Sequence, residues 1–411
     1  MTELGEIPHE WEVNNGFIKI KSGFGFKLRE YELEGIPLIR INNVMYGEII
    51  NEDLCYLPCS YLNNYKEFVL KKGDVLLALN RPITNNKLKI GKITEGPSIL
   101  YQRVGKLEMD GNRYHSDFYF HYMQSESFIN RLNNSLVGTD QPYIKTSEFE
   151  NLKFVVPTLE EQEKIASILS TVDEQINNVE ALIKKNKELK KGLMQTLLTK
   201  GIGHTKFKKT EIGEIPEEWE VKKIIDIATT TSGGTPSRAK KEYYENGIYP
   251  WVKTGELYNK YISETEEYIT EDALKKSSAK LVQEGAVIIA MYGATIGKLS
   301  IAKRSVTTNQ ACCSIICNDN ICYNEYLYYR LDFEKENIIN LGAGGAQPNI
   351  SQDIIKSYKL AIPSIVEQQR IALILSEIDE KIDEYENKKQ KLEEIKKGLM
   401  QQLLTGKIRV L

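Results

Sequence analysis

Residues 4–13 read LGEIPHEWEV, and residues 212–221 read IGEIPEEWEV. Near the end of each half KKGLMQ, Lys190 to Gln195, returns unchanged as Lys396 to Gln401. A duplication of about half the chain constrains the fold more than any other feature, because each copy must be a domain-sized unit rather than a solenoid repeat. Two copies in one polypeptide imply a pseudo-two-fold molecule, built to engage something that is itself two-sided.

At 411 residues the chain is long enough for about two to four domains with real cores. Hydrophobic residues at 41% and charged residues at 27% describe an ordinary soluble protein. No apolar run approaches the ~18 residues of a membrane span, and the opening MTELGEIPHE is neither basic nor apolar. Neither membrane nor export is therefore expected, and the cytoplasm is the expected compartment. Of the six cysteines (Cys55, Cys59, Cys312, Cys313, Cys317, Cys322), five sit in segments that read as strand or buried helix, without histidine at ligand spacing. Reduced, buried thiols are the expectation, and zinc the disfavoured alternative. A net charge of −3 argues against purely electrostatic binding to nucleic acid. Positive charge would have to be gathered locally or supplied by partners.

Each repeat comprises an entry motif, a variable body and a long amphipathic helix. Thr158 with Glu161, and Ser364 with Glu367, fit a capping box, in which hydroxyl and carboxylate reciprocally satisfy orphan backbone donors. Apolar residues then recur at steps of three and four. They are Ile165, Leu169, Val172, Ile176, Val179 and Ile183 in the first helix. In the second they are Ile371, Leu375, Ile378, Ile382, Tyr385, Leu392, Ile395 and Leu399. This spacing predicts a coiled-coil seam over about 40 residues, ending at Gly201 and Gly406. Both helices are acid-first and base-last, which favours antiparallel pairing; the alternative is that the polarity merely complements each helix dipole. Gly192 and Gly398 fall at equivalent places inside the helices. Close helix approach or a surface for another protein would each account for them. In the bodies, IPLIRI (36–41) and VLLAL (75–79) read as strands, matched by YPWVK (249–253) and AVIIAM (286–291). Gln141 and Gln347 stand in a shared Gln-Pro-x-Ile motif and read as structural.

Together these residues resemble the specificity subunit of type I restriction-modification systems. The likeness rests on the paired GEIPHEWE and GEIPEEWE, two variable bodies, and helices opening Pro-Thr/Ser-x-x-Glu-Gln and closing KKGLMQxLLT, and it spans residues 4–411. GGTPS (233–237), AMYGATIGK (290–298) and Thr308-Asn309-Gln310 look like the common form of that family's target-recognition domain. The first body departs from it, with SGFGFK (22–27) and ALNRPITNNK (78–87) in their places.

The resemblance implies an α+β fold: two tandem mixed α/β target-recognition domains separated by two long antiparallel coiled-coil helices. The expected boundaries are 1–156, 157–201, 202–362 and 363–411. Each domain is expected to read one half of a bipartite, asymmetric site in double-stranded DNA, with the helices setting the unread gap. Modification (methyltransferase) subunits, two of them, and restriction (motor-nuclease) subunits are the implied partners.

Local charge bears on that role. Residues 78–106 hold Arg81, Lys87, Lys89, Lys92, Arg103 and Lys106 against Glu95 alone, and 285–318 hold no acid. Arginine, asparagine and glutamine make the bidentate contacts that tell bases apart in the major groove. The expected DNA-contacting residues are Arg40, Asn80, Arg81, Asn85, Asn86 and Lys87 in the first body. Arg238, Lys253, Tyr292, Lys298, Asn309 and Gln310 are expected in the second.

No catalytic constellation stands out. The Asn/Asp-Pro-Pro-Tyr/Phe methyltransferase signature is absent. Gly293 to Leu299 has too few residues between its glycines for a phosphate loop, and leucine where magnesium needs a hydroxyl. Gly342 to Gly345 lacks the strand-to-helix setting of a dinucleotide site. His9, His115, His121 and His204 are scattered, with no nucleophile beside them. No cofactor, metal or catalytic residue is expected. The rival readings are a coiled-coil scaffold that binds only proteins and a self-contained nuclease.

Overall fold

The computed structural model describes residues 4–342 and 349–410. The chain divides into two compact units, 1–180 with 387–411, and 181–386. Each unit therefore holds one body and parts of both long helices, Leu159–Lys200 and Ile365–Leu403.

Within each unit the two helix segments run antiparallel. In the first, Lys389 pairs with Glu180 and Lys396 with Asp173, both at 2.6 Å. In the second, Lys187 pairs with Glu386 at 2.6 Å and Lys190 with Asp379 at 2.5 Å. Rising numbers on one helix meet falling numbers on the other, which helix dipoles alone would not produce. Half-exposed ion pairs contribute only ~0.2–1 kcal/mol each, so they select direction while the apolar seam supplies stability. Ile165, Leu169, Ile176, Val179, Ile371, Leu375, Ile378 and Ile382 are buried as the spacing predicts. Ile395 is not: it is 52% exposed. A Cβ at Gly192 or Gly398 would meet nothing within 4 Å, so close helix approach does not explain these glycines. Gly201 and Gly406 end the helices with φ of 67° and 70°, the left-handed conformation that glycine adopts at least cost.

The capping boxes form by half. Thr158 Oγ1 accepts the Glu161 N–H and Ser364 Oγ accepts the Glu367 N–H, each at 3.3 Å. The carboxylates, however, are taken up by partners distant in sequence, although the Thr158 hydroxyl also lies 3.5 Å from Glu161 Oε2. Glu161 accepts the Trp11 indole N–H at 3.1 Å and is gripped by Arg409 at 2.6 and 3.0 Å. Glu367 accepts the Trp219 indole at 3.1 Å and faces His204 Nε2 at 2.9 Å. The entry motif is thereby pinned to the helix start. Next to each glutamate a fully buried glutamine, Gln162 or Gln368, bonds three backbone groups. Gln162 donates to Pro157 O and Arg113 O and accepts from His115 N. Gln368 donates to Pro363 O and Ile321 O and accepts from Tyr323 N.

Both bodies carry the same pair of sheets. One is antiparallel through Lys19–Ser22, Val104–Glu108, Val75–Ala78 and Ile90–Lys92 in the first body. Its counterpart runs through Ala228–Ser232, Cys312–Cys317, Val287–Ala290 and Leu299–Ala302, and adds Tyr261–Ile262 in parallel. Val75–Ala78 and Val287–Ala290 are buried at every position, which is why they read as unbroken apolar runs after the Gly73 and Gly285 turns. The second sheet is mixed. Ile36–Ile39 lies parallel to Ser98–Leu100, and Tyr249–Val252 parallel to Val306–Thr308. Cys55, Cys312, Cys313 and Cys317 lie in strands, Cys322 in a buried loop and Cys59 in an exposed turn, and all six are free. Among the described residues no cluster could hold a metal ion, and no helix is long and apolar enough to cross a membrane.

Candidate nucleic-acid interface

In the second body four loops meet at one set of strand ends, joined through their backbones. Gly234 N donates to Thr308 O, Asn309 N to Val252 O, and Met291 N to Ala311 O, at 2.8–2.9 Å. The glycine of GGTPS is required here, since a Cβ on Gly233 would lie 2.2 Å from Thr308 O. Gln310 reaches across the junction and accepts the Thr235 hydroxyl. Asn309 Oδ1 caps the next turn by accepting Ala311 N at 3.1 Å.

The cations of this face are mostly tied. Arg238 lies over Tyr244 and Trp251, 4.5 and 4.9 Å from the ring centres, and forks onto Glu267 at 2.5 and 3.2 Å. Lys253 bridges Glu266 and Glu267 at 3.0 and 3.2 Å. The Arg238 bond, then that of Lys253, holds the Glu267 carboxyl below its usual range. Lys298 has no ion pair among the described residues. Tyr292 is half-buried against the core, and that burial pushes its phenol up.

The first body repeats the frame with other side chains. A Cβ on Gly23 would lie 2.3 Å from Leu100 O, and one on Gly25 2.5 Å from Gln102 Oε1. Leu79 N donates to Arg103 O at 3.0 Å, as Met291 does to Ala311. The shared Gln-Pro-x-Ile motif straps both strand ends: Ile144 N donates to Leu79 O, and Ile350 N to Met291 O, each at 2.8 Å. Arg40 and Lys253 occupy matching places after their strands. Their backbone N–H groups donate to Asn43 Oδ1 and Glu256 Oε2 three residues on. The Arg40 guanidinium then donates to Asp53 O at 2.7 Å.

Beyond the strand end, Asn80 bridges Tyr143, and Arg81 takes φ of 45° with its N–H on Pro142 O at 2.7 Å. Asn85 and Asn86, with φ of 51° and 57°, form the two-residue turn of a hairpin between Ile83–Thr84 and Lys87–Leu88. Two left-handed residues in that turn define type I′, which asparagine tolerates well. The Asn-Asn pair thus has a backbone reason for being there, and it leaves both side chains exposed at the tip beside exposed Lys87.

The structure thus gathers Asn80, Arg81, Asn85, Asn86 and Lys87 on one strap-and-hairpin, while Arg40 closes a separate loop. Sequence reading counted Arg103 only among the basic residues of 78–106 and passed over Gln102; both are exposed at the turn that corresponds to Gln310 and Ala311. Aligning Tyr101-Gln102 with Asn309-Gln310 would have found them. It also missed the glutamates, because a search for cations ignores what neutralises them. Gln141, read as structural, has an exposed side chain; Pro142 and Ile144 carry the strap through their backbones. Gln347, and residues 343–345 of the glycine-rich turn, lie outside the described residues.

Comparison with known proteins points one way. The S subunit structure from M. genitalium superposes with a TM-score of 0.66 at 16% identity, covering 98% of both chains, which speaks for the fold. The type I restriction enzyme MjaVIII specificity subunit of Methanocaldococcus jannaschii is 42% identical over 205 residues, 48% of each chain. That alignment spans about half of either protein. A second protein of that organism, described as a type I restriction enzyme MjaX specificity subunit, is 30% identical across 100% of this chain and 96% of its own. The profile described as "Type I restriction modification DNA specificity domain" matches twice, over residues 8–191 and 216–396. The chain belongs to the type I restriction-modification DNA specificity family.

Proposed function

We propose that this chain is the non-catalytic DNA-recognition subunit of a type I restriction-modification complex, working in the cytoplasm on double-stranded DNA. Residues 1–156 and 202–362 serve as target-recognition domains, and 157–201 and 363–411 as spacer helices. One observation carries the reading. Both bodies present loops on the same backbone frame, yet the side chains at corresponding positions differ, Arg103 against Ala311 and Asn80 against Tyr292. A common frame with different edges suits two readers of different half-sites. The residues expected to contact DNA are Arg40, Asn80, Arg81, Asn85, Asn86 and Lys87 in the first body, and Arg238, Lys253, Tyr292, Lys298, Asn309 and Gln310 in the second.

Two modification subunits are its proposed partners, joined by restriction subunits in the cleaving complex. Exposed Leu189 beside Gly192 recurs as exposed Ile395 beside Gly398, so the same apolar, side-chain-free patch occurs twice. No cofactor is assigned to the chain itself.

Replacing residues 14–156 with another family member's body should change one half of the methylated motif and leave the other half and the gap intact. Genome-wide mapping of methylated adenine reads this directly. Two altered halves would overturn modular reading, and no dependence of methylation on the chain would favour a scaffold. Deleting whole helical turns near Asn177–Lys184 should shorten the gap alone; a constant gap would show that the helices are not the ruler.

A further inference from the structure

Every arginine of the second body is held by a glutamate: Arg238 by Glu267, Arg304 by Glu264 and Arg330 by Glu334. The strand-end turn of the first body carries one that is not. Arg103 is exposed, and among the described residues its guanidinium has no hydrogen bond, ion pair or ring contact. Its backbone is nonetheless fixed. Val104 N closes the turn onto Tyr101 O at 2.9 Å, and Arg103 O accepts Leu79 N at 3.0 Å. Gln102, one residue earlier, lies over Gly25 where Gln310 meets Thr235 in the other body. The turn is thus a shared device, and its next position holds Arg103 in one body and Ala311 in the other.

We infer that Arg103 is a base-reading residue of the first body, and that its half-site contains a G·C pair contacted through guanine. This rests on the DNA-reading role proposed above. A planar guanidinium, free of intramolecular partners and carried on a fixed backbone, presents the two parallel donors that match guanine O6 and N7. Its freedom matters, because an arginine forked onto glutamate has already used that geometry. Ala311 offers no donor, so the second half-site carries no arginine-read guanine at the corresponding position.

The test maps methylated adenine in cells carrying the complete system with wild-type chain, Arg103→Ala or Arg103→Lys. The lysine variant keeps the charge and loses the fork. Both variants should relax one guanine position in one half-site, with discrimination falling roughly tenfold or more, and leave the other half and the gap unchanged. Relaxation by alanine but not by lysine, or an unchanged motif in both, would overturn the fork. Uniformly weaker methylation with every position still strict would make Arg103 a phosphate contact instead. A wild-type motif that is not bipartite would remove the DNA-reading role itself, a result distinct from these. Because only backbone atoms of Arg103 are bonded, the melting temperature of both variants should match wild type.

Discussion

At the start of the first long helix Glu161 takes the indole of Trp11, and at the start of the second Glu367 takes that of Trp219, both at 3.1 Å. Gln162 and Gln368 follow with the same three backbone partners. The strand-end loops of the two bodies are fixed differently, by backbone bonds such as Leu79 to Arg103 and Met291 to Ala311. The contrast shows what each kind of bond permits. A buried amide that satisfies three backbone groups has no substitute of the same shape, whereas a backbone bond is indifferent to the side chain it carries. Duplicated sequence therefore survives at the helix starts while the loops diverge.

The sharpest way to break that comparison is to remove the amides. Gln162→Leu and Gln368→Leu each leave one buried carbonyl, one part-buried carbonyl and one part-buried N–H unpaired, against a cost of ~1–3 kcal/mol for a fully buried group. Water reaches two of the three in part, so each substitution should destabilise its unit by about 2–5 kcal/mol, and the two losses should agree closely. Urea unfolding followed through tryptophan fluorescence separates them, since Trp11 lies in one unit and Trp219 and Trp251 in the other. A loss below about 1 kcal/mol in either would show that the frame is held by something else.

A pair of equivalent helix positions gives the next effect. Tyr329 donates to Asp379 at 2.7 Å and accepts from Lys260 at 2.9 Å, and burial drives its own pKa upward, so it stays neutral. The first unit has His121 there, with Nε2 on Ser170 Oγ at 3.0 Å and Nδ1 3.7 Å from Asp173. Asp173 is itself bound by Lys396, while Asp117 nearby is bound by Lys92. Burial lowers the His121 pKa to about 4, outweighing the pull of Asp173. Below pH 6.5 the unfolded chain takes a proton that the folded one refuses until about pH 4, so stability falls as pH drops through that window. Between pH 7.5 and 5 the first unit should lose about 2 kcal/mol through this group, and His121→Gln should remove that part of the slope. An equal slope in the variant would mean that His121 does not titrate in this way.

A smaller effect sharpens the contrast between the reading faces. Glu267→Gln releases Arg238 from its carboxylate and leaves Lys253 on Glu266 alone in the second body, where the first already has free arginines. Binding of the assembled complex to duplex DNA should tighten a few-fold, with the log–log salt slope steeper by about one. Gel shifts across a potassium chloride series measure both. An unchanged slope would place this glutamate outside the DNA's field.

Much of this was legible in the sequence, and unevenly so. Leucine and isoleucine at steps of three and four fixed the long helices because a seam needs that spacing, and Val287–Ala290 read as a strand because it is buried on both faces. Ile395 fitted the same spacing yet lies at the surface, since periodicity reports a face and not what covers it. The carboxylates of Glu161 and Glu367 fitted a capping box, but Trp11 and Trp219 lie about 150 residues away in sequence, and no local pattern reports such a partner. The same blindness applied to the site. Arg238 and Lys253 read as free cations because Glu267 reaches them only through sheet pairing, and Asn85-Asn86 read as a contact pair before the turn gave it a second cause.

The helix glycines give the least energetic and most discriminating test. Glycine inside an exposed helix costs ~0.5–1 kcal/mol against alanine, and a Cβ at Gly192 or Gly398 would meet open space. Gly192→Ala and Gly398→Ala should each stabilise the isolated chain by about that amount. A residue that only weakens its own helix is explained if something outside the chain needs the space. Co-purification with the modification subunit should therefore fall for each variant alone and fall further for both together. Full assembly by the double variant would leave both glycines without a role and break the symmetry argument for two docked subunits.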